Sequence, residues 1–132
     1  MSEIKFRAII NKNTVVHFTL NDFIEPIFSI RELVIPWLRA GNKPDIYTNI
    51  NDKNGKEIYE GDILADTSPD VSYILGIVTY NETPDCIYAG SFYLTDEDGY
   101  ASDWDDTEPE HWHNYEVIGN IHENPELMEV RE

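Results

Sequence analysis

The sequence predicts a mainly β (α+β) protein: a small barrel or bent sheet in the C-terminal part, preceded by an N-terminal β-hairpin and one short helix. Three observations carry this prediction. About seven or eight short stretches rich in β-branched and aromatic residues alternate with turn-forming clusters. Glycines fall inside the longer apolar stretches, where they mark bends or bulges. One segment alone carries an apolar stripe of helical period.

Ile4, Phe6 and Ala8 alternate with Lys5 and Arg7, the period of a half-buried strand. Asn11-Lys12-Asn13 offers a turn, and Val15 to Leu20 returns as the second strand of a hairpin. Ser29-Ile30-Arg31-Glu32 fits a capping box, and Ile30, Leu33, Val34, Trp37 and Leu38 form the helical stripe. Gly41 is the expected stop. Pro36 lacks an N–H and crowds the carbonyl four residues back, so a kinked helix or a short helix with a separate turn is expected.

From Asp45 onward the pattern is β. Asp45 to Ile50 leads into a turn at Asn54-Gly55, where both residues accept positive φ, and Lys56 to Tyr59 pairs back. Glu60-Gly61-Asp62 turns the chain into Ile63 to Ala65. Val71 to Tyr80 is a long strand interrupted by Gly76, and Cys86 to Thr95 is another. Asp96 to Asn114 reads as a long acidic loop. Tyr115 to Ile121, with Gly119 inside it, is the last strand, and Asn124-Pro125 opens a closing helical turn.

The 132 residues, 41% hydrophobic and 12% aromatic, suit one globular domain. Residues 1–132 are expected as one compact unit, with a subdivision into a hairpin-plus-helix lobe, 1–44, and a barrel lobe, 45–132. The 26 acids and 9 bases give a net charge of −17. Such a surface repels phosphates and anionic bilayers, so neither direct nucleic-acid binding nor membrane binding is expected. The charge is uneven. Residues 1–66 hold ten acids and eight bases, whereas residues 67–132 hold sixteen acids and Arg131 as their one base. Asp96 to Glu110 contains eight acids and no base.

Cys86, the single cysteine, permits neither an internal disulfide nor a thiolate metal site. The start, Met-Ser-Glu-Ile-Lys, lacks the apolar run of a signal peptide, and Phe28 to Leu38 is interrupted by Arg31, Glu32 and Pro36. A reduced, cytoplasmic setting is the expectation. Neither Asp52-Asn54-Gly55 nor Asp96-Asp98-Gly99 extends to the ligand spacing of a calcium loop. His111 and His113, two apart, match no common structural-zinc pattern, and His17 and His122 stand apart. No nucleophile elbow, phosphate loop or local base beside Cys86 occurs. No enzyme activity, cofactor or metal is therefore expected.

Aromatic residues interleave the acidic stretch. Tyr115 reads as core, whereas Trp104 and Trp112 fit either a pin onto the core or an interaction surface. The candidate interaction surface is Asp96, Asp98, Asp103, Trp104, Asp105, Asp106, Glu108, Glu110 and Trp112.

Asp52-Lys-Asn-Gly-Lys-Glu-Ile-Tyr-Glu-Gly-Asp-Ile63 and Glu116-Val-Ile-Gly-Asn-Ile-His-Glu-Asn-Pro-Glu-Leu127 together resemble the YopX protein family, as does the opening Ile4-Lys-Phe-Arg-Ala8. After Ala8 the sequence departs from the family's usual aromatic and acid and reads Ile9-Ile10, and residues 96–114 match no family motif. The resemblance implies a small phage or prophage protein with an SH3-like barrel or roll in its C-terminal part. It carries over no catalytic residues. A non-enzymatic protein-interaction or self-assembling module, acting in the bacterial cytoplasm on a protein partner or as a homo-oligomer, is the expectation. The alternative is an acidic nucleic-acid mimic that binds a basic host DNA-binding protein.

Overall fold

The alternating opening forms β1 (Lys5–Asn11), antiparallel to β2 (Thr14–Thr19), with Phe6 opposite Phe18 and Ala8 opposite Val16. The computed structural model describes residues 4–69, 71–80, 92–96 and 109–129. The chain divides into two compact units, Met1–Tyr47 and Thr48–Glu132.

In the first unit, Asn11 Oδ1 accepts the Asn13 N–H at 2.9 Å and tightens the hairpin turn. Register shifts between Ile9 and Asn11, so the hairpin bulges at Ile10. A 3₁₀ turn, Leu20–Phe23, follows, and its Asp22 carboxylate accepts the Thr19 N–H at 2.8 Å. The expected capping box at Ser29 does not form, because Ser29 is itself helical (φ −61°, ψ −33°). A wide π turn, Ile30–Val34, runs directly into α1 (Ile35–Arg39), so ten residues stay helical through Pro36. The π turn removes the conflict at proline. Ile35 bonds back to Ile30 rather than to Arg31, which moves the preceding carbonyls out of the α register just before the ring. Gly41, at φ +98°, ends the helix as expected. Ala8, Phe18, Ile30 and Val34 form the core, with Phe6, Phe23 and Trp37 packed on it. The Phe18 ring stacks on Phe6 at 5.4 Å and meets Phe23 edge-on at 5.5 Å.

Two four-stranded antiparallel sheets are formed, one in the order β2, β1, β3 (Asp45–Asn51), β4 (Glu57–Tyr59) and one in the order β7 (Phe92–Thr95), β6 (Val71–Tyr80), β5 (Asp62–Ser68), β8 (Glu116–Asn120). β3 begins in the first unit and continues into the second. Asn49 sits at φ +70° within β3, a conformation asparagine tolerates, held by Thr48 Oγ1 accepting the Ile50 N–H at 3.2 Å. The β3–β4 turn is one residue longer than the two-residue turn the Asn-Gly rule predicts. Asp52 and Lys56 bracket three residues, and only Gly55 takes positive φ, +84°, as in a type I turn with a bulge.

β5, β6, β7 and β8 make the second sheet. Between barrel and bent sheet, the described residues form the bent sheet: β7 and β8 are its edges and the order does not close. Its bends are two bulges, at Leu75 on β6 and Ile118 on β8, each an extra residue opposite β5. Gly76 beside the first is required sterically, since a Cβ there would stand 2.8 Å from the Thr95 carbonyl oxygen. Of the expected Cys86–Thr95 strand, only Phe92–Thr95 lies within the described residues. Of the expected acidic loop, Pro109–Asn114 is a 3₁₀ helix, and residues 97–108 lie outside the described residues. The closing turn is α2 (Glu126–Glu129). Ile58, Leu64, Leu75, Val78, Leu94, Trp112, Tyr115 and Val117 form the core of this unit.

Candidate functional site

Among the described residues of the second unit, the two long sequence motifs build one polar constellation. Asp52, 5% exposed, opens the β3–β4 turn. Its Oδ1 accepts the N–H groups of Asn54 and Lys56, both at 2.9 Å, and its Oδ2 accepts the Val117 N–H at 3.0 Å. The Val117 donor lies next to the Ile118 bulge, where β8 slips one residue against β5. The adjacent Lys53 N–H reaches the Tyr115 carbonyl at 2.9 Å. One loop thereby holds the start of the last strand.

The other polar motif residues are engaged in the same way. Asp62, 1% exposed, accepts the Tyr59 N–H at 2.7 Å and closes the Glu60-Gly61 turn. Gly61 links β6 to the end of β8, donating to the Val78 carbonyl and accepting from Ile121. Asn120 Oδ1 accepts the N–H groups of His122 and Glu123, and its amide donates to Glu123 Oε1 at 3.0 Å. Asn124, expected as a helix cap, instead turns its Oδ1 back to the Asn120 N–H at 3.3 Å. A Cβ on Gly119 would stand 2.7 Å from that oxygen and 2.9 Å from Leu127 Cδ1, so a side chain there would displace the Asn124 amide and the Leu127 tip. At the surface, Lys53 Nζ donates to Thr67 Oγ1, whose hydroxyl donates to Glu116 Oε1 at 2.9 Å, with Lys53 and Glu116 themselves 4.0 Å apart.

Beyond this constellation, Asp66 Oδ1 accepts both the hydroxyl, at 2.6 Å, and the N–H, at 3.0 Å, of Ser68. The Ser68 hydroxyl, then its N–H, and distantly Lys53 hold the Asp66 carboxyl below its ordinary range, against a small opposing desolvation. Every buried side-chain nitrogen and oxygen among the described residues has a hydrogen-bond partner. Among those residues, no three His, Cys, Asp or Glu side chains converge as a metal site. His111 Nε2 lies 3.7 Å from Glu110 Oε1.

Of the expected interaction surface, Asp96 follows β7 half-buried, and Glu110 is exposed on the 3₁₀ helix. Trp112 is corrected from a surface candidate to a core residue. It is fully enclosed, packed with Ile58, Leu75 and Val117, because the 3₁₀ helix turns its ring inward. Asp98, Asp103, Trp104, Asp105, Asp106 and Glu108 lie outside the described residues, as does Cys86. No helix among the described residues is long and apolar enough to cross a membrane.

The sequence reading placed turns at the motif residues but missed their longest reach, from Asp52 to Val117. An acid two residues before Asn54-Gly55 was the available signal, since aspartate accepts N–H groups across a turn. The boundary between the units sharpens the uneven charge already visible in the sequence. Divided at Tyr47, the chain has six bases and five acids in its first unit, a net of +1, and three bases and 21 acids in its second, a net of −18.

A family model described as YopX protein matches residues 45–129. The match contains both long motifs, while Ile4–Ala8 lies outside it. No curated protein matches the chain.

Proposed function

The chain belongs to the YopX protein family, and on that premise we propose that it is a non-enzymatic protein-interaction module. The observation that carries this reading is the use made of the family-matched polar residues. Asp52, Asp62 and Asn120 are buried and committed to backbone N–H groups, so they fix strand ends and turns. Buried oxygens already occupied by backbone N–H groups are out of reach of a substrate's proton, which general-base catalysis requires. On this reading the chain works by presenting surfaces, in the cytoplasm of a phage- or prophage-carrying bacterium, to a protein partner or to its own copies.

The test is affinity purification of the full-length tagged chain from such cells, alongside the mass of the pure protein in solution. Self-association, or a defined partner that binds again from purified components, supports the module. A monomer that retrieves no protein overturns it.

The division of charge favours a second reading, nucleic-acid mimicry. A net of −18 on the second unit, against +1 on the first, concentrates the acids in one part of the chain. Such a part would steer toward a basic DNA-binding protein.

A further inference from the structure

Apolar side chains of the first unit divide into two sets. Phe23, Ile30, Val34 and Trp37 turn onto the core. Within the same stretch Leu20, Ile24, Ile27 and Phe28 stand open to solvent, at 64, 77, 67 and 66% exposure. The backbone that presents them is fixed. The Asp22 carboxylate holds Thr19, the Phe23 ring is wedged edge-on against Phe18, and Ile27 accepts the N–H groups of Ile30 and Arg31. The Arg31 guanidinium ties down the Pro26 carbonyl at 3.1 Å. Four large apolar side chains exposed within nine residues of a folded segment offer apolar surface of the kind that marks an interface.

We propose that Leu20, Ile24, Ile27 and Phe28 form the contact through which two copies of this chain dimerise. The proposal deepens the interaction-module reading and rests on it. Two observations select a second copy as the occupant. Area is the first. Taking about 200 Å² for a fully open residue of this size, backbone included, the four offer at most roughly 550 Å². Doubled across a two-fold axis that ceiling is about 1,100 Å², above the roughly 1,000 Å² that separates a specific interface from an incidental one. Charge is the second. Two copies cannot meet through units of −18 each without strong repulsion, whereas the unit carrying the patch is at +1. The segment lies outside the family match of residues 45–129.

The test is sedimentation velocity of the full chain between about 1 and 100 μM, in low and high salt. The expected result is a monomer–dimer equilibrium that tightens as salt rises, because screening removes repulsion while apolar contact persists. Ile24→Glu with Phe28→Ser should raise the dimer dissociation constant at least ~100-fold, since two anchors are lost on each copy. The single Ile24→Glu, at the most open position, should weaken the dimer in the same direction. Ile121→Glu, an exposed apolar position of the second unit, should leave it unchanged. Circular dichroism of each variant should match the parent.

A parent chain that stays monomeric overturns the proposal, as does a dimer weakened by salt or one that survives both Ile24 variants. A monomer that still retrieves a defined partner sinks the dimer and leaves the interaction module standing. A monomer that retrieves nothing sinks both.

Discussion

Val117 donates its backbone N–H to Asp52 Oδ2 at 3.0 Å, across 65 positions of sequence. The bond joins the two motifs that mark the family, and it explains why an acid stands before the Asn54-Gly55 turn. One carboxylate serves the turn with one oxygen and the last strand with the other.

Asp52→Ala should therefore cost about 3 kcal/mol, since it strips three N–H donors of a charged, buried acceptor. Asp52→Asn keeps one acceptor oxygen and should cost about half as much. Urea unfolding of the full chain measures both, as a lower midpoint at an unchanged slope. A midpoint unmoved by Asp52→Ala would mean the clasp contributes nothing to stability.

Arg7 and Asp45, opposite one another on β1 and β3, form a buried pair: Nη2 and Nε reach Oδ2 at 2.8 and 3.1 Å. Removing one partner strands a charge in the first unit. Arg7→Met or Asp45→Leu alone should each cost about 3–5 kcal/mol, while the double substitution should recover most of the loss. A double-mutant cycle by thermal unfolding reads the coupling, and additive losses would rule it out.

These two contacts show what was legible in the sequence and what was not. Alternation at Ile4 to Ala8 and the Gly55, Gly61 and Gly76 breaks located strands, turns and a bend, because those signals act over a few residues. Arg7, read from period alone, belonged to the polar face of β1; its burial depends on a partner 38 positions away that no local pattern names. Trp112 likewise sat among acids and histidines in sequence, yet the 3₁₀ helix carries it into the core. The Ser29 capping box failed for a different reason. The chain enters its helix earlier than the motif implies, so Ser29 is a helical residue and not a cap. Charge was legible as well: counts along the chain put most of the acids in its second half, and division at Tyr47 sharpens that to +1 against −18.

Ser68→Ala should raise the Asp66 pKa toward its ordinary value, because the largest cause of its depression is the Ser68 hydroxyl bond. With the folded-state pKa below the unfolded one, the turn's contribution is fully present above the unfolded value. It fades as pH falls through the folded value. Carboxyl-carbon NMR titration of Asp66 in both chains checks the direction. An unchanged Asp66 titration in Ser68→Ala would remove the hydroxyl as the cause. Asp66 lies at the surface, so the expected effect is on its titration and hardly at all on global stability.

Acidity of the second unit separates the two functional readings through salt. If the −18 is there to imitate a phosphate backbone, binding to a basic DNA-binding protein should weaken steeply with ionic strength and be competed by duplex DNA. Replacing Asp103, Asp105 and Asp106 by asparagine removes three charges from the densest run and should weaken that binding about tenfold at low salt. Titration calorimetry at two salt concentrations reads both effects. The same substitutions should leave a dimer built on Leu20, Ile24, Ile27 and Phe28 intact, or tighten it slightly by lowering the repulsion between copies. Unchanged affinity for a basic partner would instead leave these acids as a solubilising surface. Mimicry would then lose the segment it most depends on.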